Sequence, residues 1–228
     1  ILLTEQALGE AARIEFCKRI EESYGTRRRV DAERPMVKID GSHDGDETVT
    51  YDKGGWVFWM LLQEMGRERT LAGMREFIRR YKDGPDYPVL QDFVATLRPF
   101  AADPAAFDRF VQQWFFHVVV PEYRLDNASR SRLPTGEWQA TLRVKNAGTG
   151  RMPVEVAAVR GERFPDKAKP GEKTKPSQIY REIRQTIVLG AGEATTVTLR
   201  CPFEPERLLV DPDARVLQLN RKLAIVRL

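Results

Sequence analysis

The stretch Thr50-Tyr51-Asp52-Lys53-Gly54-Gly55-Trp56 holds the residues with the clearest chemical potential in this sequence. It sets a tyrosine just before a predicted apolar helix, with a lysine and two glycines at the start of that helix. Glycine at such a junction allows the close approach of another backbone or of a ligand. A phenol held there could point its hydroxyl into a cleft and donate a hydrogen bond. The alternative interpretation is that Tyr51 packs in the core and Lys53 is a solvated charge.

The residues that follow Tyr51 extend this pattern. An apolar helix leads to Gly66, a second helix follows over 71–81, and a Phe-x-x-Gln-Trp segment ends at Trp114, shortly before Pro121. Over about residues 45–125, this order of segments resembles the aminopeptidase N family of zinc metallopeptidases, the gluzincins. In that family a Tyr-Glu-Lys-Gly segment and a Gln-Trp helix belong to the second half of the catalytic domain, and a β-sandwich comes next.

The resemblance implies a catalytic role for Tyr51. In the family, a zinc-bound water attacks the peptide carbonyl, and the matching tyrosine donates a hydrogen bond to the oxyanion of the tetrahedral intermediate. The implied activity is the hydrolysis of N-terminal peptide bonds, with a peptide as the substrate. Lys53 is expected to shape the start of the helix. Two positions depart from the family pattern, because Asp52 replaces the usual Glu and Val119-Val120 precede Pro121 where the family has glycine.

Zinc is implied as the cofactor of the full-length parent and is not expected in this fragment. The His-Glu-x-x-His motif does not occur here and would lie before Ile1. Glu5 and Glu10 are both candidates for the downstream zinc ligand, and a third alternative is that both are ordinary helix-surface acids. They are five residues apart, roughly 140° around a helix, so we do not expect both to face one metal. The isolated fragment should therefore be inactive.

Two other groups of residues have too few members to predict a metal site or a disulfide framework. His43 lies beside Asp44 and Asp46, a set too small for a metal prediction. Cys17 and Cys201 are too few for a disulfide framework and are expected to be free thiols.

No apolar run approaches the ~20 residues of a membrane-spanning helix. The Lys-rich stretch 161–178 is interpreted as a solvated loop, and no nucleic-acid partner is expected.

The chain begins Ile1-Leu2-Leu3 without an initiator Met, from which we expect a piece of a longer polypeptide. The missing N-terminal part of the same chain is therefore its expected partner. The sequence leaves open where the parent is located and whether it is tethered to a membrane. High usage of Arg and Ala indicates a bacterial source.

The elements that must position these residues change near Pro121 from predicted helices to predicted strands. The net charge also changes there, from −3 over residues 1–120 to +7 over residues 121–228. Apolar stripes of helical period predict helices over 4–24, 54–65, 68–82, 88–98 and 104–118, with a long loop over 26–50. Alternating apolar and polar residues predict strands over 138–145 and 196–201, and turn signals separate further candidate strands over 154–159, 180–189, 207–210 and 223–228.

These patterns predict an α+β multidomain protein with an N-terminal helical lobe, residues 1–120, and an antiparallel β-sandwich of the Ig-like kind, residues 121–228. With the resemblance, they favour the C-terminal fragment of a zinc-dependent aminopeptidase. The alternative from another class of function is a non-catalytic interaction module built from helices and a β-sandwich.

Overall fold

The computed structural model describes residues 1–84, 87–165 and 179–228. Within these ranges the chain divides into two compact units, Ile1–Val119 and Val120–Leu228. The first unit contains α-helices and the second contains antiparallel strands, so the fold class is α+β.

The first unit has its main helices where the sequence periodicity predicts them. Most of the predicted bounds agree with the structure to within two residues. Asp103 begins the last helix, because its carboxylate accepts hydrogen bonds from the backbone N–H groups of Ala105 and Ala106. The α-helices are α1 (Leu2–Arg27), α2 (Asp46–Thr48), α3 (Gly54–Met65), α4 (Arg67–Tyr81), α5 (Leu90–Leu97) and α6 (Pro104–Phe116).

The apolar helix α3 is buried along most of its surface and forms the centre of the first unit. Eight of its twelve residues are buried, including Trp56 and Trp59. Phe58 is half-buried, and its ring makes edge contacts with Phe93 and Phe115, whose centroids are 5.2 and 6.2 Å away. This packing fixes the helix that continues directly from the segment carrying Tyr51.

Residues 46–53 are helical, which corrects the prediction of a loop over 26–50 and of a junction at Tyr51. After α2, the chain forms a π-helical turn over Val49–Lys53 that runs directly into α3. Tyr51 therefore lies inside a helix. The sequence pattern misses this turn because its residues are mostly polar. Gly54 suits the turn, since a Cβ at this position would lie only 3.3 Å from the Val49 carbonyl oxygen.

Helix α1 is broken at Gly9, which differs from the continuous helix predicted over 4–24. Gly9 has φ 84° and ψ 176°, a conformation that side chains disfavour and glycine tolerates. The helix also continues past the predicted end at Gly25. The backbone N–H of Arg28 still donates to the Tyr24 carbonyl oxygen at 2.9 Å.

The second unit contains two antiparallel sheets. One sheet has the strand order β1-β2-β5, and the other has the order β4-β3-β6-β7. Glycine is required at Gly148 in the turn between β2 and β3, where a Cβ would lie 2.4 Å from the Val120 carbonyl oxygen. The strands are β1 (Tyr123–Arg132), β2 (Trp138–Asn146), β3 (Met152–Arg160), β4 (Arg181–Leu189), β5 (Ala194–Cys201), β6 (Arg207–Val210) and β7 (Ile225–Arg227).

Strand β1 is absent from the sequence prediction because its residues are largely polar and exposed. It lies at the edge of its sheet and pairs with β2 on one side. Its register shifts between Asp126 and Ser129, and Asn127 has φ 51° at this bulge. A bulge of this kind disrupts the strict alternation on which strand prediction depends.

Three further sequence expectations concern single features. Cys17 and Cys201 are both free, as expected, and both are buried. Among the described residues, no helix combines the length and the apolar character needed to cross a membrane. The expected Lys-rich loop over 161–178 lies mostly outside the described residues, which end at 165 and resume at 179.

Candidate functional site

Tyr51 projects from the π-helical turn toward solvent, with 72% of its surface exposed. It lines an open depression of about 530 Å³. Its side chain makes no hydrogen bond among the described residues. Tyr51 is therefore not a core packing residue, and its phenol is accessible to a ligand. The other residues around the depression are Gly41, Ser42, His43, Asp44, Asp46, Glu47 and Thr50.

Asp46 is the buried acid at this depression, and Arg34 holds it by two hydrogen bonds. The Arg34 Nε lies 3.2 Å from Asp46 Oδ1, and the Arg34 Nη2 lies 2.5 Å from Oδ2. The backbone N–H of Gly41 donates to the same Oδ2 at 2.9 Å. The hydrogen bonds from Arg34 hold the pKa of Asp46 below its usual value. This pair ties the chain before α2 to the first residue of that helix.

A small group of metal-ligand types lies next to this ion pair. Ligand atoms of Asp40, His43 and Asp46 come within 4.8 Å of one another. His43 with Asp44 and Asp46 is too small a set for a metal prediction from sequence, and the structure places Asp40, not Asp44, in the group with His43 and Asp46. Asp40 also accepts hydrogen bonds from Arg34 and Ser42, and the bonds from Ser42 lower its pKa. Arg34 thus already supplies the positive charge that both carboxylates need.

Lys53 lies on the opposite side of the helical turn from Tyr51 and is almost completely buried, with 1% of its surface exposed. The interpretation of Lys53 as a solvated charge is therefore wrong. Its ammonium group pairs with Glu33, which also accepts a hydrogen bond from the Tyr24 hydroxyl at 2.7 Å and forms an ion pair with the Arg28 Nε at 2.5 Å. Burial lowers the pKa of Lys53 and raises the pKa of Tyr24, which nearby Glu33 raises further.

Glu33 has no signal of its own in the sequence, because no local pattern connects it with Lys53, twenty residues later. One signal was available in the sequence. A lysine that directly precedes a helix predicted to be buried on every side must leave the core or find a counter-ion. Glu33 lies in the polar stretch that had been interpreted as loop.

Glu5 and Glu10, the two candidates for the downstream zinc ligand, both form ion pairs with Arg13. The Arg13 Nε lies 3.1 Å from Glu5, and its Nη2 lies 3.7 Å from Glu10. Because α1 is broken at Gly9, the regular helical angle does not separate the two acids. Arg13 itself is buried, with its guanidinium 4.8 Å from the centre of the Trp59 ring.

A catalytic zinc site in this chain would have to use carboxylates that, within the described residues, are already paired with arginine side chains. Such a site usually has three protein ligands with a fourth position open. Arg13 engages both Glu5 and Glu10, and Arg34 engages the carboxylates of the Asp40–His43–Asp46 group. We therefore assign no zinc ligand to this chain and derive no step through a metal.

Comparison with known proteins gives no functional assignment. No family model matches the sequence, and no curated protein matches it. Matching solved structures include DesR, a β-glucosidase from Streptomyces venezuelae in complex with D-glucose, at 18% identity and TM-score 0.29. Another is the GH3 β-glucosidase of Bifidobacterium adolescentis, at 14% identity and TM-score 0.29.

These structural matches are partial. The first covers 48% of this chain and 16% of the glucosidase, and the second covers 53% and 20%. At a TM-score of 0.29, they support no conclusion about fold or activity.

Proposed function

We propose that this chain is the C-terminal part of a zinc-dependent aminopeptidase of the aminopeptidase N family, with Tyr51 as its oxyanion-stabilising residue. The observation that carries the proposal is the exposed phenol of Tyr51 at the wall of the depression. A tyrosine needed only for packing would have its ring buried. Its position in the Tyr-x-Lys-Gly segment matches that of the catalytic tyrosine in the family.

The chemistry proposed for Tyr51 is hydrogen-bond donation to developing negative charge. When water attacks the carbonyl of the first peptide bond, the carbonyl oxygen becomes an oxyanion. A phenol O–H that is already directed at this atom binds the oxyanion more strongly than the neutral carbonyl, so it lowers the barrier to the reaction. The Tyr51 hydroxyl has no competing acceptor among the described residues.

The zinc ion would be held by the part of the parent that carries the His-Glu-x-x-His motif. Bound there, it would supply Lewis-acid activation of the carbonyl and of the attacking water. This chain would contribute the phenol and the wall of the substrate cleft. Peptide substrate and the N-terminal part of the same polypeptide are therefore its proposed partners.

The organisation of the second unit supports the same proposal. Buried and more exposed residues alternate along most of β2 and β5, as in a sheet with one covered face, and β3 of the other sheet is buried along most of its length. We infer that the two sheets pack together as an Ig-like β-sandwich, which in the family follows the Gln-Trp helix. The proposed domains are 1–120 and 121–228. The buried residues include Ala140, Leu142, Val144, Val197 and Leu199 of one sheet and Val154, Val156, Leu189, Leu208 and Val210 of the other.

The test uses the longer polypeptide that contains this chain and an upstream zinc motif, with an amino-acid p-nitroanilide as the substrate. We expect Tyr51→Phe to lower kcat by about 10²–10³-fold, as loss of one oxyanion donor typically does. KM should stay close to its original value. Tyr87→Phe is the matched control, because Tyr87 is also strongly exposed and lies outside the depression.

Two results would contradict the proposal. One is a parent polypeptide that carries no zinc motif or shows no aminopeptidase activity. The other is a Tyr51→Phe variant that turns over as fast as the Tyr87→Phe control. Either result would favour the non-catalytic interaction module.

A further inference from the structure

A buried ion pair lies beneath the helical turn that carries Tyr51. The side chains of Lys53 and Glu33 retain only 1% and 5% of their surface exposure. Moving two charges out of water is costly, and well-packed apolar residues often give equal or greater stability at such positions. General stability therefore gives a poor explanation for this pair, and a role in selecting one conformation explains it better.

The Glu33 carboxylate is fixed on both of its oxygens. One oxygen pairs with Lys53. The other accepts a hydrogen bond from the hydroxyl of Tyr24, in α1, and forms an ion pair with Arg28, which directly follows α1. Lys53 is thus attached to a carboxylate that α1 already holds in place. An anchor of this kind restricts how the turn that carries Lys53 can rotate.

The restricted turn is the π-helical segment Val49–Lys53. A π turn is rarer than an α turn and often occurs at functional sites. If this turn relaxed to α geometry, a shift of one residue would rotate its side chains by roughly 100°. Such a shift would take the Lys53 ammonium away from Glu33 and would also turn Tyr51 away from the depression that it lines.

We propose that the Glu33–Lys53 ion pair is a positioning device that holds the Val49–Lys53 turn in its π form and thereby directs the Tyr51 phenol into the depression. Glu33 and Lys53 act through Tyr51 and do not contact substrate. The catalytic use of this orientation rests on the proposed function, whereas the orientation itself is a property of this chain and can be measured on it alone.

The first experiment separates positioning from stability in the 228-residue chain. The double variant Glu33→Gln/Lys53→Met removes both charges together, so that neither is left buried without its partner. The readouts are urea unfolding and the ¹³C–¹H signals of the tyrosine rings, with the Tyr51 signals assigned through Tyr51→Phe. Tyr87, which is exposed and lies outside the depression, is the internal control.

We expect the double variant to unfold at nearly the same urea concentration as the original chain. The ring signals of Tyr51 and the amide signals of Val49–Lys53 should nevertheless move, while those of Tyr87 stay in place. Unchanged Tyr51 signals in a folded double variant would overturn the inference. If the double variant does not fold, the same ring and amide signals are measured on the single variant Lys53→Met. In that variant the Glu33 carboxylate still has Arg28 and Tyr24 as partners.

The second experiment measures turnover in the longer polypeptide. The double variant should lower kcat by about tenfold or more, because small misplacements of a catalytic group are costly. KM should change little. When Tyr51→Phe is already present, adding the double variant should lower kcat by less than about a further twofold, as expected for groups that act through one residue. If Tyr51→Phe itself has no effect, the proposed function fails while the ring signals still test the positioning. If Tyr51→Phe is slow and the double variant has full turnover, the positioning inference fails.

Discussion

The indole nitrogen of Trp56 donates a hydrogen bond to the backbone carbonyl oxygen of Cys17, 3.2 Å away and 39 residues earlier in the sequence. Both residues are completely buried. The bond connects α3 to the part of α1 that follows the break at Gly9. It therefore helps to fix the helix that continues from the Tyr51 turn relative to the helix that carries Tyr24.

Replacing Trp56 should destabilise the first unit. Trp56→Phe removes the hydrogen bond to Cys17 and leaves space where the larger ring was packed, so we expect a loss of about 2–3 kcal/mol in the free energy of unfolding. Urea unfolding followed by helical circular dichroism measures this loss. The same substitution at half-buried Trp138 is the control and should cost less than about 1 kcal/mol. Equal effects of the two substitutions would contradict the role of Trp56.

The Asp46–Arg34 pair should make stability depend on pH in the acid range. Because Arg34 lowers the pKa of Asp46 in the folded chain, this carboxylate contributes stability above its unfolded pKa, near 3.8. That contribution is lost as the pH falls through the lower, folded-state pKa. Asp46→Asn should therefore lose less stability than the original chain as the pH falls from above 3.8 through the lower, folded-state pKa of Asp46.

Urea midpoints measured across that range test the Asp46 prediction. Asp44→Asn is the matched control, because Asp44 lies in the same stretch, is exposed and has no ion pair among the described residues. Its pH profile should follow that of the original chain. If the pH profile of Asp46→Asn runs parallel to that of the original chain, the Asp46–Arg34 pair does not contribute to acid sensitivity.

Much of the fold could be predicted because burial leaves a periodic signal in the sequence. The apolar stripe of α6 reports directly which face is covered, and the Asp103-Pro104 pair marks a helix start that the structure confirms. Strand β1 has no such signal, since an exposed edge strand with a bulge buries few side chains. The polar residues of α2 likewise give no apolar stripe.

The site was harder to predict because its decisive contacts join distant parts of the chain. Tyr51 could be selected from its position before a glycine pair and an apolar helix. The burial of Lys53 depends on Glu33, and the convergence of Glu5 and Glu10 on Arg13 depends on the break at Gly9. Periodicity describes one element at a time, so it carries no information about such partners.

A side chain at Gly148 should destabilise the second unit. The Cβ of Gly148→Ala would lie 2.4 Å from the Val120 carbonyl oxygen and 2.6 Å from the Glu122 backbone nitrogen, so the backbone must move. Forcing atoms into a packed site typically costs about 1–3 kcal/mol. Thermal unfolding measures the change. Gly55→Ala is the control, because nothing lies within 4 Å of its Cβ position, and it should be neutral or slightly stabilising.

The last prediction concerns metal binding by the 228-residue chain. Zinc should not bind with sub-micromolar affinity, because Arg13 and Arg34 already pair with the carboxylates that could act as ligands. Calorimetric titration with zinc chloride measures the affinity directly. His43→Ala tests the Asp40–His43–Asp46 group and should leave any weak binding nearly unchanged. Arg34→Met tests the reason for the prediction, since it frees both aspartates and should strengthen binding at this group. A tight one-to-one site in the original chain that disappears in His43→Ala would show that the arginine does not prevent metal binding there.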